Sequence, residues 1–138
     1  QMNAQELDVI ARQGLPIKVI VLNNHCLGMV RQFQDLYFAG RRQSTVKGYT
    51  VPDMCKIAEA YGVKAYNITN ASQVDVVLQK VFADADAVLV NVSLELNTVV
   101  SPKLVVNLPI EDMSPHLTRE ELKKIMLIDL VEDMEVPG

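Results

Sequence analysis

The run Ile17-Lys18-Val19-Ile20-Val21-Leu22 constrains the fold more than any other part of the chain, because it is β-branched and apolar without alternation. Such a run is a strand buried on both faces, and that requires a largely parallel sheet covered by helices above and below. It stops abruptly at Asn23-Asn24, and a glycine, Gly28, stands just before the next amphipathic segment. A strand of this kind carries its polar groups at its carboxyl end, where open parallel sheets hold phosphates and metals. Asn offers a neutral amide oxygen to a hard cation, and Gly allows close backbone approach to a ligand.

The rest of the first hundred residues repeats this alternation. Asn3 is placed to cap a helix over residues 4–13, with Leu7, Ile10 and Ala11 on one face and Gly14 and Pro16 ending it. A helix is expected over residues 28–37 and a loop over 40–45. The next helix runs over 52–61, with Pro52 in its first turn, Thr50 or Val51 before it and Gly62 as the stop. A short strand over 63–68, a helix over 72–83 and a buried strand over 87–94 follow. Helices alternating with strands imply a three-layer α/β sandwich around a mainly parallel sheet. Pro102, Pro109 and Pro115 punctuate what comes next, so residues 97–116 read as an extended tail. Thr118-Arg119-Glu120-Glu121 has the capping-box pattern of a last helix reaching to about Leu127, and residues 129–138 read as an acidic, disordered end. The expected division is therefore 1–96 and 97–138.

Composition narrows the function. At 49% hydrophobic the chain is globular, and no apolar run approaches the roughly 18–20 residues of a membrane span. A net charge of -4 gives no electrostatic case for nucleic acid or an anionic membrane. Arg41-Arg42 with Lys47 reads as a solvated loop. Cys26 and Cys55 match no metal or disulfide spacing, Cys55 reads as a small buried hydrophobe, and no signal peptide opens the chain, so a reduced, cytoplasmic setting is expected. The acidic pairs Glu111-Asp112 and Glu132-Asp133 read as solvated surface. His116 lies in the tail and His25 in the loop after the asparagines. The first residue is not Met, and a piece of something longer is expected.

With these residues in view, Asn23-Asn24 followed by Leu27-Gly28-Met29-Val30-Arg31-Gln32-Phe33 resembles the second half of the thiamine-diphosphate motif in acetolactate synthase-like enzymes. Gln1-Met2-Asn3-Ala4-Gln5-Glu6-Leu7 and Ile57-Ala58-Glu59-Ala60-Tyr61-Gly62 are similar to segments of the same branch, and the likeness is continuous over about residues 1–94. The tail Pro109-Ile110-Glu111-Asp112-Met113-Ser114-Pro115 resembles less the biosynthetic enzymes than other homologues of them. The Gly-Asp-Gly turn that precedes the paired asparagines in that family is absent from the 22 residues before Asn23. The resemblance therefore implies an incomplete thiamine-diphosphate-binding fold, lacking one metal-binding carboxylate.

The resemblance also implies roles. Asn24 is the magnesium ligand through its side-chain oxygen and Cys26 a ligand through its main-chain carbonyl. Leu27, Gly28 and Met29 lie beside thiamine diphosphate. Met29 and Phe33 face the substrate, Phe33 standing where biosynthetic acetolactate synthases usually have tryptophan. The activity implied is decarboxylation of a 2-keto acid with transfer of the acyl group, in a protein that is a homodimer or homotetramer. FAD, common among relatives, belongs to a middle domain, and the activating glutamate comes from another domain of a partner subunit. No residue of this chain is assigned to either. The residues alone leave open a keto-acid decarboxylase or carboligase, or a non-catalytic α/β regulatory module. A receiver-like module would need an acidic cluster at strand ends, and none stands out.

Overall fold

A computed structural model describes residues 3–131. It divides into two compact units, Gln1–Thr98 and Val99–Gly138. In the first, the ordered elements are α1 (Glu6–Arg12), β1 (Lys18–Asn23), α2 (Gly28–Tyr37), α3 (Met54–Ala60), β2 (Lys64–Ile68), α4 (Val74–Ala83) and β3 (Val88–Ser93). The three strands form one parallel sheet in the order β1-β3-β2, with β3 central.

Strand parity assigns the two faces. Val19, Val21, Ala65 and Leu89 meet α1 through Leu7, Ile10 and Ala11 and α3 through Met54, Ile57 and Ala58. On the opposite face Val88, Val90, Tyr66 and Ile68 meet α4 through Val74, Val77 and Val81. This is the layered α/β arrangement expected from the alternation, except that β1, expected to be buried on both faces, leaves Ile20 and Leu22 exposed on the α4 side, where, among the described residues, no helix packs on it. The first half of the central strand is valine and leucine, and Val88, Leu89 and Val90 are all essentially inaccessible.

Helix ends differ from expectation for local reasons. Asp53 caps α3, its Oδ1 accepting the Cys55 and Lys56 N–H groups at 3.1 Å, so Pro52 stands before the cap and not in the first turn. Asn3 does not cap α1 with its side chain; its carbonyl accepts Glu6 N–H in a preceding turn. Asn70 and Gln73 form a capping box over the 3-10 turn Ala71–Gln73 that leads into α4. Gly62 leaves α3 at φ 77, a left-handed conformation that suits glycine.

The second unit contains α5 (Arg119–Ile125), whose Thr118–Glu121 capping box is formed as the sequence implies. The cap hydrogen bonds hold the Glu121 carboxyl below its usual value. A bridge pairs Lys103 with Ser114, and Asp112 pairs with Arg119 at 3.1 Å. The acidic stretch at 132–138 lies outside the described residues. Among those described, no helix is long and apolar enough to cross a membrane.

Candidate cofactor-binding turn

Every residue expected at the site falls on one short path, from the end of β1 into α2. Asn24 is half-buried, and its Oδ1 faces the Cys26 N–H at 3.4 Å. His25 between them is left-handed, at φ 57. Asn24 is four residues before Gly28, yet its side-chain amide lies directly over that glycine. A Cβ at position 28 would stand 2.5 Å from Asn24 Nδ2. Any other residue at 28 would displace the amide, so the glycine creates the space the asparagine uses.

Cys26 is buried with its Sγ toward the Leu96 carbonyl at 3.8 Å. The thiol is thereby turned into protein. Leu27 precedes α2, and its N–H donates to the Thr45 carbonyl at 3.1 Å. Helix α2 starts with no side-chain cap and no acidic residue in its first turn. The positive end of its dipole is therefore uncompensated, an arrangement that favours an anion. Among the described residues no three His, Cys, Asp or Glu side chains gather as a metal cage. A hard cation here would depend on amide and main-chain oxygens together with ligand phosphates, which is the usual mode for magnesium.

Met29 and Phe33 lie one helical turn apart on α2, and Met29 is 73% exposed. Phe33 is half exposed and packs its ring against Tyr37 at 4.6 Å and Phe38 at 5.9 Å. With Val30 and Leu36, these side chains make an exposed apolar stripe beside the turn.

Several residues that position the turn carry no local motif. Arg31 is 1% exposed and reaches two partners, Asp35 at 3.0 Å and the Thr98 carbonyl at 2.8 Å. Its Nε is buried with no protein partner. Arg42 closes on both oxygens of Asp35, at 2.7 and 3.1 Å. Hydrogen bonding from Arg42, with the nearby charges of both arginines, holds the Asp35 carboxyl below its usual range despite its partial burial. Arg42 is thus a structural cation and not the solvated loop residue expected, whereas Arg41 and Lys47 are exposed. Thr45, 2% exposed, donates to Gln34 Oε1 at 2.6 Å and anchors the same loop.

A line of three amides crosses the carboxyl half of the sheet. Asn23 Nδ2 donates to Asn91 Oδ1 at 3.1 Å, and Asn91 Nδ2 donates to Asn67 Oδ1 at 2.9 Å. They sit on the α3 side, at the floor of a cavity of about 310 Å³ that Val51, Pro52, Asp53, Met54 and His25 complete. The sequence signal for Asn91 is a polar residue interrupting Val88-Leu89-Val90 and Val92. Cys55 packs nearby, its Sγ toward the Tyr66 carbonyl at 3.6 Å, and burial pushes its thiol pKa up. His116 is exposed in the second unit.

Comparison with known proteins bears on the family and the fold. Residues 1–92 match the family model described as the thiamine pyrophosphate enzyme, C-terminal TPP binding domain. The acetolactate synthase large subunit of Haemophilus influenzae is 42% identical over 83 residues, covering 60% of this chain and 14% of that protein. The isozyme 2 large subunit of acetolactate synthase from Escherichia coli is 37% identical over 94 residues, covering 68% of this chain and 17% of that protein. Among solved structures, a thiamine diphosphate-dependent 4-hydroxybenzoylformate decarboxylase from Rhodococcus jostii shares the fold, with a TM-score of 0.60 and 24% identity over 69% of this chain and 18% of that one. The chain thus spans less than a fifth of each of these relatives. An all-parallel sheet flanked by helices, with the paired asparagines at the end of one strand and a family match over both, makes this chain a member of the thiamine pyrophosphate enzymes, carrying sequence of their C-terminal cofactor-binding domain.

Proposed function

We propose that this chain forms part of the magnesium and diphosphate site of an acetolactate synthase-like enzyme, which decarboxylates a 2-keto acid and transfers the acyl group. The observation that carries the reading is the Asn24 amide held over Gly28 at the uncapped start of α2. In this reading Asn24 Oδ1 and the Cys26 carbonyl ligate magnesium, and the first turn of α2 with Leu27, Gly28 and Met29 borders the diphosphate. Two phosphates and a cation together need both negative-charge acceptors and oxygen ligands, and this turn offers each. When bound, thiamine diphosphate supplies the electron sink for loss of carbon dioxide. The chain's own residues bind and orient: Met29 and Phe33 form an apolar wall beside the reacting end of the keto acid.

This reading assigns FAD and the activating glutamate to no residue of this chain, and makes the whole enzyme a homodimer or homotetramer. Titration calorimetry of the protein with thiamine diphosphate, with and without magnesium, tests the site. Magnesium-dependent binding that Asn24→Ala abolishes is expected; equal binding without magnesium, or by the variant, refutes the assignment. The 138-residue chain alone is expected to release no carbon dioxide from pyruvate. In the protein carrying every domain, acetolactate as product supports transfer, whereas an aldehyde alone points to a decarboxylase.

A further inference from the structure

The amide line across the sheet ends on a main-chain donor. Asn23 Oδ1 accepts the His25 N–H at 2.9 Å, while its Nδ2 faces Asn91. A backbone N–H cannot reverse its polarity, so it fixes which end of Asn23 faces the turn. That choice passes to Asn91, which must accept from Asn23 and donate to Asn67. Asn23 is 8% and Asn91 9% exposed, and their amides are engaged chiefly with each other, the His25 N–H and Asn67. Their neighbours on the same sheet face, Val19, Val21, Ala65 and Leu89, are apolar and pack into the core. Each such hydrogen bond nets only about 0.5–1.5 kcal/mol once lost hydration is counted, no more than packed apolar side chains would contribute at these positions. What they add is direction, delivered to the left-handed residue between Asn24 and Cys26.

We infer that Asn91 is a positioning residue for the cofactor turn. Through Asn23 it holds the His25 N–H, and with it the backbone that presents the Asn24 amide and the Cys26 carbonyl. The inference rests on the proposed function for the identity of the ligand, and on geometry alone for the hold on His25. Asn91→Asp keeps the acceptor that Asn23 requires, and the exposed Asn67 amide is able to turn and donate to it. Asn91→Leu keeps the branching at Cγ, in a larger side chain, and removes the acceptor. Asn91→Ser is too short to reach Asn23 and serves where the leucine variant does not fold.

Two readouts test it on the protein: hydrogen exchange at the His25 amide without ligand, and calorimetric affinity for magnesium with thiamine diphosphate. In the leucine or serine variant, His25 exchange rises about tenfold, the equivalent of one lost hydrogen bond, while the Val90 amide inside the sheet keeps its protection. Cofactor affinity falls in the same variants, and Asn91→Asp restores both properties. Unchanged His25 exchange in a folded leucine or serine variant overturns the inference, as do equal losses in the aspartate and leucine variants. Absence of cofactor binding by the unsubstituted protein refutes the functional reading alone, because exchange at His25 still decides for or against Asn91.

Discussion

Between Gly28 and Asn24 one added carbon separates stability from binding. Alanine favours a helix over glycine by about 1 kcal/mol, yet its Cβ would meet Asn24 Nδ2 at 2.5 Å and force the amide aside. Gly28→Ala is therefore expected to leave the thermal midpoint unchanged or raised, while calorimetry shows magnesium-dependent cofactor affinity reduced about 10- to 100-fold, as when a ligand loses its supporting contact. A parallel fall in both quantities would contradict this account. Asn24 and Gly28 are each legible in sequence as members of one turn, but the room that the glycine leaves for the asparagine amide is seen only in the structure. Asn67 and Asn91 are not legible as part of the site, since only strand register brings them beside Asn23. Likewise Asp35 and Arg42 meet through the path of a loop, which no local pattern encodes.

Among the elements, helical periodicity, unbroken apolar runs and one capping box located the helices and strands, because most have a face that must be buried. Their ends depended on particular hydrogen bonds. Pro52 suits a first helical turn, but Asp53 has the better-placed acceptor and becomes the cap. Removing that acceptor with Asp53→Ala is expected to cost about 1 kcal/mol in a denaturant titration. Truncating the central strand is more severe: Leu89→Ala, at a site 1% exposed, is expected to cost about 2–5 kcal/mol. At the amino ends of β2 and β3, Lys64 holds Asp84 at 2.8 Å and Asp86 at 3.0 Å. Hydrogen bonding from Lys64 lowers the Asp84 carboxyl below 3.8, and the two aspartates raise Lys64 above 10.5. The depressed carboxylate contributes stability above its unfolded value and loses it as pH falls through the folded one. The raised lysine contributes below its unfolded value and loses it as pH rises through the folded one. Lys64→Met should therefore shift the acid unfolding midpoint to higher pH, by an amount that shrinks in 1 M salt because Lys64 is half exposed. An unmoved acid midpoint would show the clasp to be energetically silent.

For the molecule as a whole, the layers are unequal. Helix α4 covers β2 and β3, while Ile20 and Leu22 of β1, on that same face, are 44% and 67% exposed. Strand β1 is also an edge, with one side of its backbone unpaired within the sheet. Self-association of the chain that grows with concentration is expected in light scattering after size exclusion, and Leu22→Lys should reduce it. A strict monomer at high concentration would sink the expectation. The family resemblance over the first 94 residues was readable from the sequence, whereas the ionic anchoring of α2 was not. That anchoring has its own consequence. Arg31 grips the stretch after β3 by the Thr98 carbonyl, an atom every amino acid possesses. Position 98 is thus free to drift in side-chain identity while its tether persists, and a survey of variants would find tolerance there and intolerance at the arginine.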